Sequence, residues 1–291
     1  MAAKITSTVA KEGDGTVQIT FSLPWEEVQK AKEGVITDLA KDVEVPGFRK
    51  GKAPVSKAEE KIPMETIIQK IVGKLLPDAL GEAITKEKLK LAIYPHIHVL
   101  KADTGEPWQV VAETCELPQI SLGNYKELVK GAIKAKQIWT PEKGKDEKEK
   151  ELSKEEKQQE VIKVLLSSIK INIPKILVEE EVNARLTSLL DRIEKLGLSL
   201  DGYLASLGKT PEGLRGDYTK QAEETLALDL ILDKIGAEEG LKVTEGEIDE
   251  VIKASAADPS LKEKLNTPEQ RRLISGILRR RASLDSLTSL L

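Results

Sequence analysis

The ten residues from Val45 to Pro54 (Val-Pro-Gly-Phe-Arg-Lys-Gly-Lys-Ala-Pro) restrict the fold of this chain more than any other stretch. Proline disfavours the helical conformation in the residue before it, and both Pro46 and Pro54 act in this way here. Gly47 and Gly51 permit turns with positive φ. Apolar residues at helical spacing lie on both sides of the stretch. The sequence therefore predicts a short loop between two helices.

The loop is basic, although the whole chain has a net charge of −4 at pH 7. Its cations, with no acidic residue among them, are Arg49, Lys50, Lys52 and Lys57. Phe48 stands beside these cations, and such a cluster suits docking onto a surface made partly of phosphate and partly of protein. The alternative is a solvated turn whose Phe48 packs back into its own core.

Four strands are predicted around this loop. Alternating apolar residues indicate strands at 4–10, 16–21, 93–100 and 108–117. In the order ββ-αα-ββ they predict an α+β domain, in which one antiparallel sheet carries two long helices on one face. The loop is then expected to protrude from the far end of the helix pair.

The two helices are predicted from apolar stripes that run from Trp25 to Leu39 and from Met64 to Ile84. Ser22 is the expected N-cap of the first helix. Pro77 lies inside the second stripe and should kink or divide that helix.

The second half of the chain is predicted to be all-helical, beginning at Leu152. Residues 117–139 are interpreted as an extended connection, and residues 141–157, almost entirely Lys and Glu, as a linker or a solvated helix start. Helix boundaries are indicated by stops at Gly197 and Gly240, a start at Thr210-Pro211, and capping boxes at Thr244–Glu247 and Thr267–Gln270.

The last predicted helix carries five arginines beside an apolar stripe: Arg271, Arg272, Arg279, Arg280 and Arg281. Because they are interleaved with apolar residues, we expect a solvated helix face that pairs with neighbouring acidic side chains. Contact with RNA is the alternative. The acidic balance of the whole chain argues against general nucleic-acid binding.

No motif with recognisable catalytic spacing is present, so no catalytic residue, nucleotide or other cofactor is predicted. His96 and His98 share one face of a predicted strand, with Cys115 nearby, but a fourth ligand is not evident and no metal site is predicted. Aromatic residues make up only 3% of the chain, which argues against a large aromatic pocket for a small ligand.

The compartment is expected to be the cytoplasm. No apolar run approaches the roughly 20 residues that span a bilayer, and the first residues lack the apolar region of a signal peptide. The single cysteine, Cys115, excludes an internal disulfide framework.

The loop residues Gly47-Phe48-Arg49, Gly51-Lys52 and Pro54 resemble the ribosome-docking signature of trigger factor, the family of bacterial chaperones that sit at the exit of the nascent-chain tunnel. The likeness extends into the helical half. The matching segments there are Ile171-Asn172-Ile173-Pro174, the run from Gly197 to Leu204, and the run from Glu239 to Thr244.

The resemblance implies a ribosome-binding domain at 1–117, a connection and charged linker at 118–150, and a helical client-binding domain with arms at 151–291. Phe48, Arg49 and Lys50 are then expected to contact the ribosome. The residues expected to shape or support the loop are Gly47, Gly51, Lys52 and Pro54.

Typical members of the family carry a prolyl isomerase domain after the connection. Here only charged residues occupy that place, with Tyr125 and Trp139 as the nearby aromatics, and the family's C-terminal extension is cut short. The resemblance therefore implies a form without the isomerase domain that is not an enzyme.

The expected function is that of an ATP-independent chaperone that docks at the ribosomal tunnel exit and holds nascent chains. Its expected partners are the large ribosomal subunit, through a tunnel-exit protein and rRNA, and unfolded polypeptides, with no membrane and no nucleotide. Two alternatives stay open: a prolyl isomerase, and a ribosome- or RNA-binding factor without chaperone activity. A periplasmic chaperone is disfavoured because no signal peptide is seen.

Overall fold

The computed structural model describes residues 4–43, 46, 48, 54–138, 153–255 and 263–290. The chain divides into two compact units. The first, here called the sheet unit, comprises Met1–Leu117 and Pro174–Leu177. The second, the helical unit, comprises Pro118–Ile173 and Val178–Leu291. The predicted order of an α+β part followed by an all-helical part is confirmed.

The sheet unit contains β1 (Thr6–Lys11), β2 (Thr16–Leu23), β3 (His96–Lys101) and β4 (Trp108–Cys115). The strands lie in the order β1-β2-β4-β3, and every neighbouring pair is antiparallel. The alternation of apolar residues along β2 explains the core, because alternate residues of a strand share one face. The residues of β2 and β4 that are buried on this face include Val17, Ile19, Phe21, Leu23, Val110 and Ala112.

The described residues between β2 and β3 form three helices: α1 (Trp25–Leu39), α2 (Val55–Glu59) and α3 (Met64–Glu87). Helix α3 runs through Pro77 without a break, so the prediction that Pro77 could divide it is wrong. Proline inside a helix costs about 3 kcal/mol. Ile71 and Leu76 before it and Leu80 after it are all buried, and this burial offsets the cost.

Ser22 is not the N-cap of α1, contrary to the sequence prediction. Strand β2 continues to Leu23, and Ser22 pairs with Thr6 on one side and Gln109 on the other. Helix α1 follows Pro24, and no side chain caps it. Leu23 is completely buried, so sheet pairing and burial outweigh the hydrogen bond that a serine cap would supply.

After β4 the described chain is helical. Its helices are α4 (Tyr125–Ile138), α5 (Lys154–Ser168), α6 (Lys175–Lys195), α7 (Leu200–Leu207), α8 (Pro211–Glu238), α9 (Glu245–Ser255) and α10 (Pro268–Ser289). Leu165, Ile231, Ile235 and Leu287 place α5, α8 and α10 around one buried core. Leu189, Ile193, Leu204 and Leu214 form a second cluster from α6, α7 and α8.

Helix α4 corrects the interpretation of residues 118–138 as an extended connection. Residues 125–138 are helical, and Leu122, Tyr125 and Val129 are buried in the core of the helical unit. The spacing of Tyr125 and Val129 by four residues places both on one helical face, which is the signal that the sequence reading missed. Of the linker or solvated helix start predicted at residues 141–157, the part up to residue 152 lies outside the described residues, and residues 154–157 begin α5.

Apart from Ser22, the predicted helix ends agree with the structure, and Thr267 caps α10 by accepting from the backbone N–H of Gln270. Thr210 caps α8 by accepting from the backbone N–H of Gly213. Thr244 and Glu247 form the reciprocal bonds of a capping box, with 2.7 Å from Thr244 N to Glu247 Oε2 and 3.3 Å from Glu247 N to Thr244 Oγ1. Ser153 and Glu156 form another capping box, at the start of α5, which was not predicted. In the described part of the chain, no helix is both long and apolar enough to cross a membrane.

Candidate docking loop and exposed leucines

The ends of the predicted docking loop are packed together. Ala40, just after α1, and Ala58 of α2 are both buried, and Val43 packs against them. Lys32 of α1 reaches across to Glu59 of α2, with 2.7 Å between Nζ and Oε1. Because α1 and α2 are joined by these contacts, the chain between them is anchored at both ends on the sheet unit.

Phe48 lies at the surface, with 47% of the residue exposed. Pro46 and Pro54 are also exposed. The alternative in which Phe48 packs back into its own core is therefore wrong. An aromatic side chain left half in water, on a loop whose ends are anchored, has apolar surface available to a partner.

The other predicted site residues of the loop, Gly47, Arg49, Lys50, Gly51 and Lys52, lie outside the described residues. Lys57, at the end of the basic stretch, pairs with Glu60 at 3.4 Å. Both side chains are well exposed, so this pair contributes little to stability and leaves Lys57 able to exchange partners.

Exposed leucines gather around the turn between α6 and α7. We call the set Leu190, Leu196, Leu198, Leu200 and Leu207 the α6–α7 leucines, and between 37% and 72% of each residue is exposed. Gly197 has φ of +68° in this turn, and Ser199 then caps α7 by accepting from Gly202 N. The sequence reading did not single out these residues as exposed.

A signal for this exposure was present in the spacing. Leu196, Leu198 and Leu200 alternate, whereas residues on one helical face are three or four apart. They also span the end of α6 and the start of α7. Nearby Leu189 and Ile193, four residues apart in α6, have the helical spacing and are buried.

Four of the five arginines of α10, namely Arg271, Arg279, Arg280 and Arg281, pair with acidic side chains, as predicted. Arg271 contacts Glu245 and lies 2.8 Å from Asp249. Arg279 and Arg280 lie 2.9 and 3.1 Å from the two carboxylate oxygens of Asp233. With their charges balanced in this way, these arginines offer a poor phosphate-binding surface, which disfavours the RNA alternative for this helix.

The predicted strand histidines and cysteine are not brought together as a metal site. Among the described residues, no group of three or more His, Cys, Asp or Glu side chains could hold a metal ion. Cys115 is completely buried, and this burial, assisted by the charge of Asp14, raises the pKa of its thiol to about 11.

These features define the class of the molecule. It is a two-unit protein: an α+β unit exposes Phe48 in the stretch between α1 and α2, and a helical unit exposes leucines at one turn. A model of the bacterial trigger factor protein matches residues 5–155, more than half of the chain. A model of the trigger factor C-terminus matches residues 142–288. The chain belongs to the bacterial trigger factor family.

The curated relatives include trigger factors of Staphylococcus aureus strains JH9 and Newman. Each is 34% identical to this chain over 124 residues, which are 43% of this chain and 29% of the relative. The matched part of the chain thus spans less than a third of those relatives.

A solved structure described as "Promiscuous Substrate Recognition in Folding and Assembly Activities of the Trigger Factor Chaperone" has the same fold. It superposes with a TM-score of 0.62 at 14% sequence identity, over 98% of this chain and 99% of that one.

Proposed function

We propose that this protein is an ATP-independent chaperone that docks on the large ribosomal subunit through the loop around Phe48 and holds unfolded polypeptides. Membership of the trigger factor family carries this proposal. The half-exposed Phe48 supports it, since the residue expected to enter an apolar niche on the ribosome is available at the surface.

In this docking step, Phe48 packs into an apolar niche of a tunnel-exit protein, which contributes roughly 1.5–3 kcal/mol if the ring is fully buried. Arg49 and Lys50 pair with acidic side chains or rRNA phosphates, so binding weakens as salt rises. Gly47, Gly51, Lys52 and Pro54 shape and support the loop.

Docking is tested by co-sedimentation with bacterial 70S ribosomes. The triple variant Phe48→Ala/Arg49→Ala/Lys50→Ala should lose binding. The matched control Tyr94→Ala/Lys61→Ala/Lys70→Ala likewise removes one aromatic and two cations, all exposed on the sheet unit, and it should bind as the wild type does. Equal binding by wild type and loop variant, or binding that ignores salt, contradicts the proposed docking.

Client holding is assigned to the α6–α7 leucines, because exposed apolar side chains grouped at one turn can bind unfolded segments without sequence preference. No nucleotide is required in this scheme. The variant Leu196→Ser/Leu198→Ser/Leu207→Ser should suppress aggregation of an unfolded client less well than the wild type.

The control for this assay is Leu100→Ser/Leu117→Ser/Leu128→Ser, which removes three leucines that are exposed elsewhere. Both variants are assayed as full chains, because α4 lies in the core of the helical unit and a fragment starting at residue 151 would lack it. Failure of the wild type to suppress aggregation at equal molar ratio would leave the ribosome-binding factor without chaperone activity as the better account.

We also infer that the chain lacks prolyl isomerase activity. The two family matches overlap at residues 142–155, so no unmatched stretch lies between them. An isomerisation assay on a proline peptide should show no acceleration. If the protein accelerates isomerisation and keeps this activity through further purification, the prolyl isomerase alternative is restored.

A further inference from the structure

The sheet has two edges, β1 and β3, and they differ in how well they are protected. An edge strand presents unpaired N–H and C=O groups that can pair with another strand. At β3 the pairing with β4 shifts register between Val99 and Lys101. Lys101 also forms ion pairs with Asp103 and Glu106 at this edge. Bulges and edge lysines of this kind discourage strand addition.

Strand β1 has no register shift, and its one lysine, Lys11, is its last residue and pairs with Glu116 at 2.7 Å. It pairs with β2 in regular register over all six residues from Thr6 to Lys11, and in the described sheet its other side has no neighbouring strand. Of the two edges, β1 is therefore the one able to accept a further strand.

A groove of about 1340 Å³ lies beside this edge. On the sheet side it is lined by Lys4 and Ile5, which precede β1, and by Thr6 and Ser7, the first two residues of β1. Successive side chains of a strand point to opposite faces, so Thr6 and Ser7 both line the groove because it lies at the edge of the strand. Helix α3 forms the opposite side, where Leu75, Ala79 and Ala83 provide an apolar floor of mostly small side chains.

The charges around the groove are balanced. Its lining includes the cations Lys4, Lys74 and Lys86 and the acids Glu27, Asp78 and Glu82. Lys4 Nζ lies 3.0 Å from Glu82 Oε2, and both side chains are more than 60% exposed, so this pair separates at little cost. A rim with equal numbers of each sign fits a segment without strong net charge better than it fits a nucleic acid.

We propose that this groove binds an extended polypeptide segment as an additional strand beside β1. The backbone of the segment pairs with the free edge of β1, and its alternate side chains enter the groove over Leu75, Ala79 and Ala83. The site belongs to the sheet unit, so it is separate from the α6–α7 leucines, and it does not depend on the proposed client holding.

Two glycines of α3 allow a matched test. Gly81 lines the groove, and a Cβ built there meets no atom within 4 Å, so a larger side chain occupies groove space without a clash. Gly73 is equally open but does not line the groove. Leucine at either position raises helix propensity, so both full-length variants should fold.

The probe is a short fluorescein-labelled peptide of alternating valine and threonine, and its binding to the full chain is followed by fluorescence anisotropy. Gly81→Leu should weaken binding by about tenfold or more, equivalent to about 1.4 kcal/mol. Gly73→Leu should leave binding unchanged. Absence of binding to the wild type, or equal binding by Gly81→Leu, overturns the proposal.

A second peptide, N-methylated at consecutive residues, tests the backbone contact, because it keeps the side chains but cannot donate hydrogen bonds from either edge. It should not bind, whereas the parent peptide should slow amide hydrogen exchange in β1. Equal binding by the methylated peptide overturns strand addition. The protein could instead form a dimer that the peptide does not dissociate and that Gly81→Leu abolishes. In that case a second copy of this chain would occupy the groove, and the proposal would also be overturned.

Co-sedimentation of Gly81→Leu with ribosomes separates this site from the proposed docking loop. Wild-type ribosome binding by Gly81→Leu, together with lost peptide binding, is the expected result. Loss of ribosome binding by Gly81→Leu would show that the groove is part of the ribosome contact, and would overturn its assignment to a free peptide segment.

Discussion

Gly236 lies where α8 packs against α10, and it has no room for a side chain. A Cβ built at this position would lie 2.8 Å from Ser283 Oγ and 3.0 Å from Arg279 Cγ. Ser283 is buried, and its hydroxyl lies 3.0 Å from the carbonyl oxygens of both Leu232 and Arg279, so it has little freedom to move.

We therefore expect Gly236→Ala to destabilise the protein by about 1–3 kcal/mol, the usual cost of overpacking, although alanine is the better helix former. Gly216→Ala is the matched control, since Gly216 lies in the same helix with no atom near its Cβ position. It should raise the free energy of unfolding by roughly 0.5–1 kcal/mol. Urea denaturation measures both, and equal effects of the two changes would contradict the close packing.

Cys115 gives a second prediction for a single residue. Burial raises the pKa of its thiol to about 11, against an ordinary value of 9.0, so the folded state keeps the proton that the unfolded state loses first. The stability linked to this group should be intact below pH 9 and should fall between about pH 9 and 11.

The measurement is the reaction of a thiol reagent with the native protein, compared with the protein in denaturant. Native Cys115 should stay unreactive at pH 8 and should react at once when the chain is unfolded, because the nucleophile is the thiolate. A Cys115→Ala variant should lose the alkaline fall in stability. Fast native reaction at pH 8 would contradict the buried thiol.

Among the elements, α4 shows how a short helix is held in the helical unit. Glu239, at the C-terminal end of α8, accepts hydrogen bonds from Tyr125 at 3.2 Å, from Ser286 at 2.9 Å and from Lys126 at 2.9 Å. One carboxylate thus joins α4, α8 and α10. Partial burial opposes its charge, yet the bonds from Lys126 and Ser286 hold the pKa of Glu239 below its ordinary value.

Glu239→Gln should lower the free energy of unfolding at neutral pH by about 1–3 kcal/mol, the range for hydrogen bonds to a charged group. Because the folded pKa of Glu239 is depressed, its stabilisation is present above the ordinary value of 4.5 and is lost as the pH falls below it. The variant should therefore show a flatter fall in stability below pH 4.5 than the wild type.

The neighbouring Glu238→Gln is the control for this prediction. Glu238 is 48% exposed and pairs only with Lys234 of the same helix among its described ion pairs. Its replacement should change stability by less than about 0.5 kcal/mol. If the stability of Glu239→Gln falls with acid as steeply as that of the wild type, the hydrogen bonds to the Glu239 carboxylate are not what holds α4.

Helices and strands were predicted correctly where the apolar pattern extends over many residues. The prediction failed where tertiary contacts decide which element a residue joins. The stripes of α1 and α3 and the alternation in β2 were recognised because each repeats over several turns or residue pairs. Ser22 was misassigned because serine suits a cap and a strand residue alike, and the partners Thr6 and Gln109 come from distant parts of the chain.

In the whole molecule, the sheet unit and the helical unit have separate hydrophobic clusters. Ile19 belongs to the first and Ile235 to the second, and both are completely buried. Replacement of either by alanine should cost about 2–5 kcal/mol, through lost burial and a residual cavity.

The effects should be local to one unit, as hydrogen exchange with mass spectrometry can show. Ile235→Ala should speed exchange in α5, α8 and α10 and leave β2 and β4 protected, and Ile19→Ala should do the reverse. Uniform acceleration in both units after either change would mean that the whole chain unfolds as one cooperative body.

Local pattern was sufficient for the class of fold and most helix ends. Periodicity, proline and glycine act over a few neighbouring residues, so they can be read along the chain. The full signature at Gly47-Phe48-Arg49 was legible for the same reason.

Burial could not be read in this way, because it depends on partners that are distant in sequence. Leu189, Leu204 and Leu214 are buried, whereas Leu196 and Leu198, which lie in the same part of the chain, are exposed to water. The groove beside β1 exists only because α3, far along the chain, lies opposite Lys4 to Ser7. Which apolar surface is free to bind is a property of packing between elements, since burial requires a partner at each position.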